Sequence, residues 1–213
     1  MLAKFAAPFF LFFLLATTAH AKVPSAGYTL ETKETAQGKT SYPILDAVKD
    51  PAIRDAINQE IATEAAGWAC EEGDGDKATF NALSTVQYLD ANLFSYTVDY
   101  DYYCGGPYPD ARRETRTYDL TSGHLLTRED ILNDKLADDE FFAFLLKNRI
   151  NTDALEEECE GEIAAGYPWN FYVTPETIVF QPDMPHATRG CAVEFAIPKA
   201  KMGPYLRANS VLK

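Results

Sequence analysis

Few residues in this chain have the types and spacing that chemistry requires. Beyond residue 21 there are two histidines, His124 and His186. His186 follows Asp183 by three residues, a spacing that suits an Asp–His pair, and His124 follows the turn glycine Gly123. No serine stands in a nucleophile-elbow context, and the zinc-hydrolase pattern H-E-x-x-H is absent. Carboxylates are abundant, with 32 Asp and Glu, but abundance does not place two of them across a scissile bond. The acidic run Glu71-Glu72-Gly73-Asp74-Gly75-Asp76 has donors that a hard cation accepts. It lacks the EF-hand pattern and reads as a solvated loop. The sequence therefore assigns no catalytic set, no cofactor and no metal.

Binding chemistry is better represented. Tyr108 stands between Pro107 and Pro109 in a Gly105-Gly106 loop, where a rigid ring is presented as binding surfaces present their anchors. Asp110, Arg112 and Arg113 follow directly, in a chain short of positive charge, and His186 lies in a second long loop, Gln181 to Gly190. These five are the candidate binding residues. An ion pair of the arginines with Glu114 is the plainer reading, worth little at a surface.

The chain carries 19 Lys and Arg against 32 Asp and Glu, a net charge of −13. Lys4, the apolar run Phe5 to Leu15 and Ala19-His20-Ala21 form the pattern of a secretory signal peptide over residues 1–21. That run is short for a membrane span, so a periplasmic or secreted mature chain without a membrane-spanning segment is expected. Its charge would be −14, with 18 basic residues left, which argues against nucleic acid and anionic lipid and favours cationic partners. Cys70, Cys104, Cys159 and Cys191 imply disulfides in an exported protein. Four cysteines allow three connectivities. Joining each element to its near neighbour favours Cys70–Cys104 and Cys159–Cys191.

The elements that must position these residues begin with a hairpin, Tyr28 to Thr35 and Thr40 to Leu45, in which Pro43 predicts an edge strand or a strand end. Asp50-Pro51 opens a helix carrying Ile53, Ile57 and Ile61 on one stripe. Phe80 to Leu89, the alternating run Phe94 to Tyr102 and Arg112 to Leu120 form a meander whose middle strand is half-buried. Thr127 caps a short helix, and a wider apolar helix runs from Asp138 or Asp139 to Ile150. Glu156 to Glu160, beside Cys159, reads as a solvated face. Asn170 to Thr174 and Ile178 to Gln181 form a hairpin. A closing strand places Cys191, Val193, Phe195 and Ile197 on one face, and Met202, Tyr205 and Leu206 pack from a terminal turn. The sum is an α+β fold: a mostly antiparallel sheet, meander plus C-terminal hairpin, covered on one face by two or three helices.

Tyr100 to Pro109 (YDYYCGGPYP), Tyr118 to Leu126 (YDLTSGHLL) and the tail Asn170 to Pro198 carry a family resemblance. They are similar to the extracytoplasmic domain shared by the anti-sigma factor RsiV and the C-terminal, non-deacetylase part of PdaC-type proteins, a domain family of unknown function. The hairpin and Ile53–Ile61 helix resemble the small domain that precedes it. Where relatives carry Ala-His after the two glycines, this chain has Pro107-Tyr108. After the signal peptide at 1–21, the resemblance implies an N-terminal hairpin-plus-helix subdomain at 22–80 and an RsiV-like sheet-and-helix domain at 81–213, packed as one unit. It also implies a cell-envelope binding module without catalytic activity, with lysozyme as the ligand of RsiV-like members. The alternatives are an envelope enzyme acting on cell-wall glycan and a passive envelope accessory domain.

Overall fold

The computed structural model describes residues 27–71, 77–136, 138–151 and 155–213. The expected signal peptide and most of the acidic run, residues 72–76, lie outside them. The alternating run makes the centre of the structure. β3 (Thr79–Leu89), β4 (Leu93–Tyr103) and β5 (Asp110–Asp119) pair antiparallel in chain order. Phe94, Tyr96, Val98 and Tyr100 fall on one face and are buried, as a period of two requires. The expected half-buried strand is corrected on the other face, where Ser95 and Thr97 are fully buried as well. A second sheet packs there.

β1 (Tyr28–Glu34) and β2 (Lys39–Leu45) extend the meander into a five-stranded sheet, ordered β1-β2-β3-β4-β5. β2 meets β3 in parallel, through Thr40 and Ser41 opposite Ala82 and Leu83. Pro43 is thus on neither an edge strand nor a strand end. It is tolerated because the pairing with β3 stops at Ser41, so no β3 carbonyl awaits its missing donor. Gly38 permits the approach: at φ +153° a Cβ would sit 2.5 Å from the Phe80 carbonyl oxygen.

α1 (Pro51–Ala66) covers the aromatic face of this sheet. Asp50 caps it by accepting from the Ala52 amide at 2.9 Å, and Ile57 and Ile61 are buried. Asn58 fastens it to β2, accepting from the Leu45 amide (2.8 Å) and donating to the Leu45 carbonyl (2.9 Å).

The second sheet is antiparallel, built from β6 (Trp169–Val173), β7 (Thr177–Pro182) and β8 (Phe195–Pro198). Around it lie α2 (Arg128–Ile131), α3 (Asp138–Asn148), α4 (Glu157–Ala164) and α5 (Lys199–Met202). Thr127 and Asp130 cap α2 reciprocally, and Phe141 and Leu145 of α3 are buried. The α+β class stands, with the meander and the C-terminal hairpin in separate sheets. The glutamate run is a solvated face, with Glu156, Glu157, Glu158 and Glu160 exposed, and it forms the start of α4, whose Ile163 is buried and whose Cys159 is bonded to Cys191. Two local readings are corrected. Residues 186–191 form a 3-10 helix, so the closing strand begins only at Phe195, though Phe195 and Ile197 are buried as expected. α3 ends at Asn148, leaving Ile150 59% exposed.

The two sheets meet through hydroxyls. The Val173 amide donates to Ser95 Oγ (2.9 Å), which lies 2.8 Å from Thr117 Oγ1, and that hydroxyl donates to the Phe171 carbonyl (3.3 Å). Since Thr117 gives its proton to a carbonyl, Ser95 must donate to Thr117, which closes a relay between the edge of β6 and the face of β4 and β5. All of it is buried, so each group needs its partner. Ser95→Ala and Thr117→Val should each lower unfolding stability by about 1–3 kcal/mol, measured by urea denaturation. An unchanged midpoint in both would show that this relay does not hold the sheets.

Candidate binding site

Two loops meet at the start of β5. The first, between β4 and β5, turns on Gly105 and Gly106 at φ +85° and +98°, a backbone that favours glycine. Cys104 at its entrance is bonded to Cys70 after α1, and the Tyr103 hydroxyl donates to the Gly106 carbonyl at 2.9 Å. Tyr108 at the tip is 73% exposed, the most exposed of the large apolar side chains among the described residues. The second loop is the 3-10 helix His186–Cys191, tied to α4 by Cys159–Cys191. Both disulfides follow the nearest-neighbour pairing, and each holds one of the two loops.

Asp110 joins the loops. Its carboxylate accepts from the Tyr102 hydroxyl at 2.8 Å and forms an ion pair with Arg189 of the 3-10 helix, while His186 Nε2 lies 3.8 Å away. Asp110, not Asp183, therefore supplies the carboxylate near His186. Burial pushes the Asp110 carboxyl up, but the hydrogen bonds from Arg189 and Tyr102 outweigh it and hold the group below its ordinary value of 3.8. Burial lowers Arg189 and the Asp110 contact raises it, with a net rise. Tyr102 is raised by burial and by the Asp110 carboxylate. Such a pair stays charged and fixed, which suits docking and not proton transfer.

The two neighbouring arginines point to opposite faces of the sheet, as alternation demands. Arg112 lies on the α1 side, 4.8 Å from the Tyr100 ring centroid and 2.9 Å from Glu114. Arg113 faces the second sheet and grips Asp99 through two bonds (2.6 and 3.0 Å) and Glu194 at 2.8 Å. The Asp99 and Glu194 hydrogen bonds raise its pKa further despite burial. Glu194 also accepts from the Tyr172 hydroxyl at 3.1 Å.

Of the five candidates, the structure brings Asp110 and His186 together, sets Tyr108 at the adjoining tip and divides Arg112 from Arg113. It adds Arg189, Tyr102 and Glu194, which sequence reasoning missed. Arg189 carried one visible signal, a lone cation in a loop already singled out. Among the described residues, no group of three or more His, Cys, Asp or Glu is placed to hold a metal, and no helix is long and apolar enough to cross a membrane.

No family model matches the chain, and no curated protein matches it. A solved structure of a DUF3298 family member from Bacteroides fragilis NCTC 9343 is similar, at 16% identity, covering 87% of this chain and 93% of that one with a TM-score of 0.61. A DUF3298 family protein from Pseudomonas aeruginosa PAO1 is 14% identical, covering 85% and 93%, with a TM-score of 0.45. At this identity the first likeness shows a shared fold, and that structure comes from a domain family of unknown function.

The Asp110 geometry makes a signed prediction. A carboxyl whose folded value is depressed stabilises the fold above its unfolded value and ceases to do so as pH falls through the lower folded value. Asp110→Ala should cost roughly 1.5–3 kcal/mol near neutrality. The gap from wild type should persist to about pH 5 and close only in stronger acid, as read by urea titrations along a pH series. A gap already closed at about pH 5 would contradict the assignment.

Proposed function

We propose that this chain is an exported, non-catalytic binding module of the cell envelope that captures a cationic protein of the lysozyme type. The observation that carries the reading is Tyr108, 73% exposed at the tip of a loop fixed by flanking prolines and by the Cys70–Cys104 bridge. Interfaces concentrate their energy in aromatic anchors of this kind, and a loop backbone constrained in advance lowers the cost of ordering on binding. The acidic excess of the chain, −13 overall, steers a basic partner toward it. Asp110 and Arg189 hold the second loop beside the first, so the partner meets one preorganised face. Two disulfides suit an oxidising compartment. The sequence resemblance to the RsiV extracytoplasmic domain supports lysozyme as the partner to try first.

Calorimetric titration of the oxidised protein with lysozyme, at low and then physiological salt, tests this. One-to-one binding that survives physiological salt is expected. Tyr108→Ala should weaken it by about 2 kcal/mol or more, roughly 30-fold in Kd, with the melting temperature unchanged. Binding abolished by salt would mean only that opposite charges met. That result, or equal binding by Tyr108→Ala, would overturn the proposal.

A further inference from the structure

We propose a second site, on the α1 side of the sheet and separate from Tyr108: the hollow beside Trp68 binds a pyranose unit of a neutral glycan chain without cleaving it. The hollow has a volume of about 570 Å³ and is lined by Trp68, Phe80, Tyr100, Tyr102, Arg112 and Glu114, among others. That volume lies within the roughly 300–1,000 Å³ of small-molecule sites.

Its walls are aromatic and fixed. Trp68 stands edge-on to Tyr42 (centroids 6.4 Å apart, 83°) and to Tyr100 (5.6 Å, 82°), and Phe80 stacks on Tyr102 at 5.5 Å. Cys70 and Cys104 line the same hollow and are bonded to each other, which ties the segment after α1 to the end of β4. Aromatic rings give the apolar C–H face of a pyranose a flat surface to lie on, as they do for other amphipathic ligands.

The polar groups select a neutral ligand. Arg112 is paired with Glu114 at 2.9 Å, and Arg116 bridges Glu64 (2.8 Å) and Glu114 (2.9 Å). A cationic side chain entering here would compete with a guanidinium for its carboxylate, and an anion would compete with a carboxylate for its guanidinium. A sugar hydroxyl competes with neither. A guanidinium has five N–H donors and a carboxylate about four acceptor sites, so these pairs keep spare donors and acceptors in fixed positions for hydroxyl groups. Cleavage is not expected, because Glu64 and Glu114 are held by guanidinium groups, which leaves Glu71 as a lining carboxylate without the second, free carboxyl that glycoside cleavage requires.

The chain has two tryptophans, Trp68 and Trp169, so intrinsic fluorescence reads the site directly. Titration with chitotetraose and with cellotetraose should give a saturable change with at least one of them. Trp169→Phe should retain that change. By calorimetry, Trp68→Ala and the surface variant Arg112→Ala should each lose at least about tenfold in affinity, about 1.4 kcal/mol, while Tyr108→Ala binds the sugar as wild type does. Wild-type-like melting of Arg112→Ala keeps the test independent of any folding defect in Trp68→Ala. No saturable response to either oligosaccharide overturns the proposal. So does a response to a tetralysine peptide alone, or sugar binding that persists in both Trp68→Ala and Arg112→Ala.

Discussion

An edge strand buried against a sheet face has main-chain groups that must find partners, and here two hydroxyls supply them. β6 turns the Phe171 carbonyl and the Val173 amide toward the larger sheet, where Thr117 and Ser95 satisfy them. Without such partners the edge would carry unpaired polar groups in a dry interface, at a cost comparable to a lost hydrogen bond each. The hydroxyl relay lets two separate cores lie on either side of the meander. One gathers Ile57, Ile61, Phe94, Tyr96 and Tyr118 under α1. The other gathers Phe141, Leu145, Phe171, Phe180 and Phe195 around the second sheet.

The same strands carry the charged ties. Along β5, Thr117 bonds the β6 backbone, Arg113 bonds Glu194 before β8, and Asp110 bonds Arg189 in the 3-10 helix. The ties run from fully buried hydroxyls to partly exposed ion pairs, and the last of them joins the two loops. The disulfides complete the arrangement, one anchoring each loop to a helix or its trailing turn. Preorganisation of this kind reduces what a partner must order on docking. The net charge of the chain, −13, would raise the rate of encounter with a basic partner.

Much of this was legible in the sequence, and the failures share a cause. Asp50-Pro51 and the isoleucine stripe located α1, Thr127 located α2, and aromatic alternation located the meander, because each is a local rule. Alternation makes the middle strand half-buried and does not reveal that Ser95 is covered, since a small hydroxyl residue looks the same whether water or a second sheet lies over it. The parallel contact of β2 with β3 depends on where Gly38 lets the chain pass, which local periodicity does not encode. The glutamates of α4 hid a helix because its buried content is a single isoleucine, Ile163, beside a bridged, partly exposed cysteine. At the site, Tyr108 was visible through its prolines, whereas Arg189 gained its meaning only when Asp110 was placed beside it.

The central claim is that the sheet junction makes both halves one cooperative unit, and therefore one binding face. Amide hydrogen exchange at Val173, followed by NMR under native conditions, tests it most directly. The account predicts that this amide exchanges only through global unfolding, with the same free energy as the slowest core amides of β4. Exchange of Val173 through a smaller opening, with β4 still protected, would contradict it and show the second sheet to be a separately opening unit.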